Sequence, residues 1–207
     1  MKNYSIISGR KIRVAVVGCG RISKNHFDSI EKHQKDMVLV SICDSNKSVL
    51  DGHKLKYKAN AYLDLIDMLK NEKLDLVVLC TPSGVHADQT ELCASYHINV
   101  MTEKPMATRW SDGVRMVRAC DNASVQLFVV KQNRRNSTLQ LLKRAVNEGR
   151  FGKIHMVHLN VFWTRPQEYY DQASWRGTWE FDGGAFMNQA SHYVDLLDWL
   201  IGPIEKV

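Results

Sequence analysis

The stretch from Ile12 to Asn25, Ile-Arg-Val-Ala-Val-Val-Gly-Cys-Gly-Arg-Ile-Ser-Lys-Asn, constrains the fold more than any other. Its opening residues, Ile12 to Val17, are mostly apolar and β-branched, the composition of a strand buried on both faces. Gly18 and Gly20 end that strand, and a polar helix start follows over Ser23 to His26. The pattern predicts strand, tight glycine turn, helix. The first glycine permits a sharp turn; the second lacks a side chain, so a pyrophosphate can approach the backbone. Free amides and the positive end of the helix then face the phosphates. Ser23 replaces the third glycine of the G-x-G-x-x-G pattern and is small enough for close helix–strand packing.

A second apolar run, Met37 to Cys43, ends on Asp44, 24 residues past Gly20. A carboxylate at the tip of the second strand can accept both ribose hydroxyls of an adenosine, and it would repel a 2′-phosphate, which favours NAD over NADP. The alternative for Asp44 is a cap on the turn that it forms with Ser45 and Asn46.

Composition narrows the class. Of 207 residues 44% are hydrophobic and 24% charged, ordinary values for a globular protein. No run approaches the ~18 apolar residues of a membrane span, and the first eleven residues lack a signal-peptide core, so no membrane association is expected. Cys19, Cys43, Cys80, Cys93 and Cys120 show neither C-x-x-C nor zinc-type spacing, which suits reduced, buried thiols in the cytoplasm and no metal. The net charge of +6 comes from basic residues that are scattered rather than striped, so a nucleic-acid partner is not expected.

Strands and helices alternate through the first 130 residues. Further strands are expected at Lys58–Tyr62, Asp75–Cys80, Asn99–Thr102 and Gln126–Val130, with helices over 63–70, 86–97 and 108–123. This alternation predicts an α/β fold, a Rossmann-type doubly wound parallel sheet over residues 1–130 that binds its ligand at the carboxyl ends of the strands. After Arg134 the pattern changes. A helix over Thr138–Gly149, an alternating strand over Ile154–Thr164, a loop over 167–184, a helix over 185–200 opened by Asp182, and a strand beginning at Ile204 describe an α+β second domain, 131–207, that is cut short.

Two side chains carry candidate chemistry. Lys104, in Glu103-Lys104-Pro105 after a buried strand, can bind a sugar hydroxyl and favour its ionised form; the alternative is a solvated surface lysine. His192 shares an α-helical face with Asn188 and Asp195 at i−4 and i+3, and an imidazole can take a hydroxyl proton as hydride leaves the same carbon; the alternative is a core histidine.

Together, strand–GCGRI, Asp44, Thr81-Pro82-Ser83-Gly84-Val85-His86, Glu103-Lys104-Pro105 and Gly183-Gly184 to His192-Tyr193-Val194-Asp195 resemble the Gfo/Idh/MocA oxidoreductases, from about residue 11 onward. Lys131 to Arg135 and the run from Phe162-Trp163-Thr164-Arg165-Pro166 to Trp175-Arg176-Gly177-Thr178-Trp179 look like the branch of UDP-N-acetylglucosaminuronate 3-dehydrogenases, bacterial enzymes of lipopolysaccharide O-antigen synthesis. The resemblance implies NAD on Gly18, Gly20, Arg21, Ile22, Asp44, Thr81, Pro82, His86, Glu103, Lys104 and Gln132. It implies a UDP-sugar acid held by Lys104, Asn133, Arg134, Arg165, Trp175, Arg176, Asn188 and His192, with Lys104 and His192 catalytic. Another sugar or an inositol as substrate, or a non-catalytic binding role, are the competing readings. The resemblance further implies a homo-oligomer, often a tetramer, and in some relatives re-oxidation of NADH by 2-oxoglutarate. Asn188 departs from the aspartate that many members carry there.

Overall fold

In the computed structural model, which describes residues 6–206, the chain divides into two compact units, Met1–Val129 and Val130–Val207. The first unit contains six parallel strands: β1 (Ile12–Val17), β2 (Met37–Cys43), β3 (Asn60–Tyr62), β4 (Leu76–Leu79), β5 (Asn99–Thr102) and β6 (Leu127–Val129). Their spatial order is β3-β2-β1-β4-β5-β6, so the sheet is wound outward in both directions from β1 and β4. That reversal opens the crevice in which such sheets take nucleotides. Five helices alternate with the strands: α1 (Ser23–Lys32), α2 (Lys47–Tyr57), α3 (Leu65–Asn71), α4 (His86–Ser95) and α5 (Trp110–Asn122).

Alternate residues of β1 enter two different cores, which explains why the strand is apolar throughout. Val14 and Val16 pack with Phe27 and Ile30 of α1, Leu50 of α2, and Ile42. Ala15 and Val17 pack with Leu65, Met68 and Leu69 of α3 and Cys93 of α4. Burial of each Val, Leu or Phe contributes about 1.5–3 kcal/mol, so a polar residue at either parity would cost one core or the other. The five cysteines are buried free thiols. Burial pushes those of Cys19, Cys43 and Cys93 up to about 12, well away from nucleophile chemistry.

The register sets the functional edge. Val17 pairs with Cys43 and Leu79, Leu79 with Thr102, and Thr102 with Val129. Gly18, Asp44, Cys80 and Glu103, each one residue further on, therefore leave the sheet along one edge. A cavity of about 470 Å³ lies on the opposite edge, among Arg13, Leu69, Leu74, Tyr96 and Ile98, and borders none of the expected site residues.

The second unit begins with a 3₁₀ turn (Gln132–Arg135) and α6 (Ser137–Asn147), capped by Asn136, whose side chain accepts the Thr138 amide. A short α7 (Gln167–Asp171) lies within the expected loop, and a π turn (Phe186–Ala190) leads into α8 (Ser191–Ile201). Three expectations fail here. Residues 154–164 form no strand: the alternation is present, but no neighbouring strand exists among the described residues, and an unpaired strand leaves its ladder groups unmet. Residues 204–206 form none either, for the same reason, and Val207 lies outside the described residues, as does the start of the N-terminal stretch read against a signal peptide. Nor does Asp182 open a regular helix. It accepts the Gly177 amide at 2.8 Å and a bond from the Asn188 side chain, and the π turn lies between it and α8. Among the described residues no helix is long and apolar enough to cross a membrane, and no group of His, Cys, Asp or Glu could hold a metal.

Candidate active site

At the carboxyl edge of the sheet, the glycine turn has two glycines with separate reasons. Gly18 has φ +85°, and a Cβ there would lie 2.8 Å from the Cys80 carbonyl carbon and 2.9 Å from the Thr81 nitrogen. Strand β4 thus runs too close to admit a side chain. Gly20 is exposed, and a Cβ there would meet nothing within 4 Å. Its missing side chain is required by nothing in the protein, as expected where a ligand approaches. Ser23 is fully buried and closes the turn, its hydroxyl donating to the Gly20 carbonyl at 2.6 Å. Helix α1 starts without a side-chain cap and without an acidic residue in its first turn, and Arg21 beside it is exposed. This is a cradle with donors for an anion.

Asp44 caps its turn and also reaches the glycine turn. One carboxylate oxygen accepts the Asn46 amide at 2.8 Å, as a turn cap does. The other accepts the Cys19 amide at 2.7 Å, fastening the glycine turn to the tip of β2. Each oxygen keeps acceptor capacity on a half-exposed residue.

His86 was expected along the cofactor, and the structure corrects this. Its ring has no exposed surface, so a ligand cannot touch it. Nε2 lies 2.9 Å from the Thr81 carbonyl and Nδ1 2.9 Å from the Thr102 hydroxyl, with the Pro105 and Met106 carbonyls at 3.2 Å. A carbonyl only accepts, so Nε2 carries the proton toward Thr81. Burial holds the imidazole below its ordinary range despite these acceptors. His86 is a brace between the turns after β4 and β5. Thr81 is half-buried and donates its hydroxyl to Gln89 at 2.6 Å, beside half-buried Pro82.

Glu103 is 7% exposed. It is held by His26 Nε2 at 2.8 Å and by the Lys104 amide at 3.2 Å. His26 was missed in the sequence, although its place three residues after Ser23 in the first turn of α1 turns it toward the strand ends. Lys104 is half-buried, at a cis peptide with Pro105.

In the second unit, Gln132 is exposed and Asn133 half-buried. Arg134 donates from Nε and Nη2 to the two oxygens of Asp195, at 2.8 and 2.7 Å. Its fork is therefore committed to the protein, where the sequence reading had it on the substrate. Lys131 Nζ lies 3.9 Å from the same carboxylate, and burial lowers its pKa. Buried His192 and Asp195 lie three residues apart on α8, whereas Asn188 lies in the π turn before it; Asn188 donates to Asp182, and Asp195 takes Arg134. Arg165 stacks 3.8 Å from the Trp163 ring and Arg176 4.9 Å from the half-buried Trp175 ring. Nε of each arginine is buried without a hydrogen-bond partner.

A family model described as the oxidoreductase family with an NAD-binding Rossmann fold matches residues 12–131. The chain belongs to the Gfo/Idh/MocA family. Residues 139–207 match that family's C-terminal domain. The chain is 60% identical to the WlbA dehydrogenase of Chromobacterium violaceum, whose crystal structure is a complex with NADH and UDP-GlcNAcA. That match has a TM-score of 0.96 and covers 99% of this chain and 59% of the other. The WlbA dehydrogenase of Bordetella pertussis, also solved with NADH and UDP-GlcNAcA, is 60% identical, with a TM-score of 0.94 over 97% of this chain and 58% of that one. The myo-inositol 2-dehydrogenase of Thermotoga maritima is 28% identical over 95% of this chain. The chain spans 57% of that relative's length.

Proposed function

We propose that the protein oxidises the C3 hydroxyl of UDP-N-acetylglucosaminuronic acid to the 3-keto sugar, with NAD as the oxidant. The observation that carries this is the 60% identity, along nearly the whole chain, to dehydrogenases solved with NADH and that sugar nucleotide. The residues present fit the cofactor: an open Gly20, an uncapped helix start and an acceptor at Asp44.

In this reading residues 1–130 serve the nucleotide and 131–207 the sugar. Gly18, Gly20, Arg21 and Ile22 hold the pyrophosphate, Asp44 the adenosine ribose, and Thr81, Pro82, Glu103 and Gln132 border the rest. NAD supplies a hydride acceptor. Lys104 donates a hydrogen bond to the C3 oxygen and favours its ionised form, and His192 takes up the hydroxyl proton, which an imidazole does near neutral pH. Arg165 and Arg176, whose buried Nε groups await an acceptor, hold the anionic part of the substrate, with Asn133, Trp175 and Asn188 lining it. Inositol, the substrate in the name of the 28% identical relative, offers those two guanidinium groups neutral hydroxyls and no anion, which favours the acid. Re-oxidation of NADH by 2-oxoglutarate, a homotetramer and a cytoplasmic role in O-antigen sugar synthesis complete the proposal.

The test mixes the protein with NAD+, 2-oxoglutarate and either the UDP-sugar acid or inositol, and follows NADH and the keto sugar. Turnover of the acid is expected, falling ~10²–10⁴-fold in Lys104→Ala and His192→Ala. Turnover of inositol alone, or full activity in both variants, sinks the reading.

A further inference from the structure

Two cations share one aromatic ring in the second unit. The guanidinium carbon of Arg176 lies 4.4 Å from the centroid of Tyr169, and that of Arg165 lies 5.0 Å from it. With Trp163 against Arg165 and Trp175 against Arg176, the five side chains alternate ring and cation. Among the described residues no carboxylate forms an ion pair with either arginine. Arg165 donates to the neutral Gln189 side chain at 3.1 Å, and both Nε donors are buried and unused. Two like charges held together on neutral faces, without a counter-charge, form a site for an anion.

The geometry points to Tyr169 as the positioning residue of this site: its ring face holds Arg165 and Arg176 in place as a preformed dication for one oxyanion group of the substrate, carboxylate or diphosphate. Arginine side chains have large rotamer freedom, and a ring that stacks on the guanidinium removes it before the ligand arrives. The attraction comes from the ring face rather than the hydroxyl. The ring is itself braced, edge-on to Tyr170 at 5.2 Å and 89°. No sequence pattern flags this residue, because two of its partners, Arg165 and Arg176, flank it on either side of α7.

The inference rests on the proposed substrate, and its test separates the two. Binding of UDP-GlcNAcA, UDP-GlcNAc and NADH is measured for wild type, Tyr169→Leu and Tyr169→Phe, with KM and kcat for the acid. Tyr169→Leu is expected to weaken UDP-GlcNAcA about tenfold, through KM rather than kcat, while NADH binds as before; Tyr169→Phe restores the affinity. If the bound group is the carboxylate, UDP-GlcNAc is insensitive to the substitution; if it is the diphosphate, both ligands weaken alike. Wild-type affinity in Tyr169→Leu, an equal loss in Tyr169→Phe, or a parallel loss of NADH binding overturns the assignment. Should wild type bind NADH but neither UDP-sugar, the substrate reading falls. Inorganic pyrophosphate then probes the arginine pair, and Tyr169→Leu must still weaken it.

Discussion

His26 Nε2 meets Glu103 Oε1 at 2.8 Å, tying the first turn of α1 to the Glu-Lys-Pro turn after β5. Both side chains are nearly buried, at 13% and 10% exposure. The helix after the glycine turn and the lysine-bearing turn are thus tied along one edge. His26→Phe removes a donor from a carboxylate that water hardly reaches, so stability should fall by about 1–3 kcal/mol. Urea unfolding measures this, and NADH affinity should fall with it.

Gly18→Ala and Gly20→Ala should separate folding from binding. At Gly18 the positive φ and the approach of Cys80 and Thr81 make a methyl group cost about 2–4 kcal/mol, seen as a lower melting temperature. At Gly20 there is room, so the variant should melt as the wild type does and yet bind NADH more weakly in a fluorescence titration. Unchanged NADH affinity in Gly20→Ala would remove the pyrophosphate from this turn.

His86 should make the protein acid-sensitive. Burial lowers its pKa in the fold below 6.5, the ordinary value. The unfolded chain therefore binds a proton that the folded one refuses. Stability is complete above pH ~6.5 and falls as pH drops below it, by at most about 1.4 kcal/mol per unit from this one group. Urea midpoints between pH 8 and pH 5 check this. His86→Gln should be less stable at neutral pH but show a shallower pH slope.

Arg134 and Asp195 form a bidentate pair that orders the second unit. Because Arg134 is 37% exposed, a double-mutant cycle with Arg134→Gln and Asp195→Asn should give a coupling of only about 1 kcal/mol, smaller in high salt.

What could be read along the chain was local. Apolar runs without alternation marked strands covered on both sides, and β1 has a core on each face. The glycine turn was legible because a close approach of β4 leaves no other residue type at Gly18. The alternation over 154–164 misled, since the period of a strand says which faces differ but not whether a neighbour exists to take its hydrogen bonds. The π turn Phe186–Ala190, which sets Asn188 outside α8, had no mark in the sequence, because one wide turn changes no residue type.

Sequence alone determined the order of strands and helices in the first unit, the glycine turn and the acidic tip of β2, because each depends on residues within a few positions of one another. Only the tertiary structure decided which polar groups are already used. His86 is taken up by backbone carbonyls and the Thr102 hydroxyl, Arg134 by a carboxylate 61 residues away, and Glu103 by a histidine 77 residues away. A buried polar group must find a partner wherever the fold brings one, and that choice is made in space, by burial and distance.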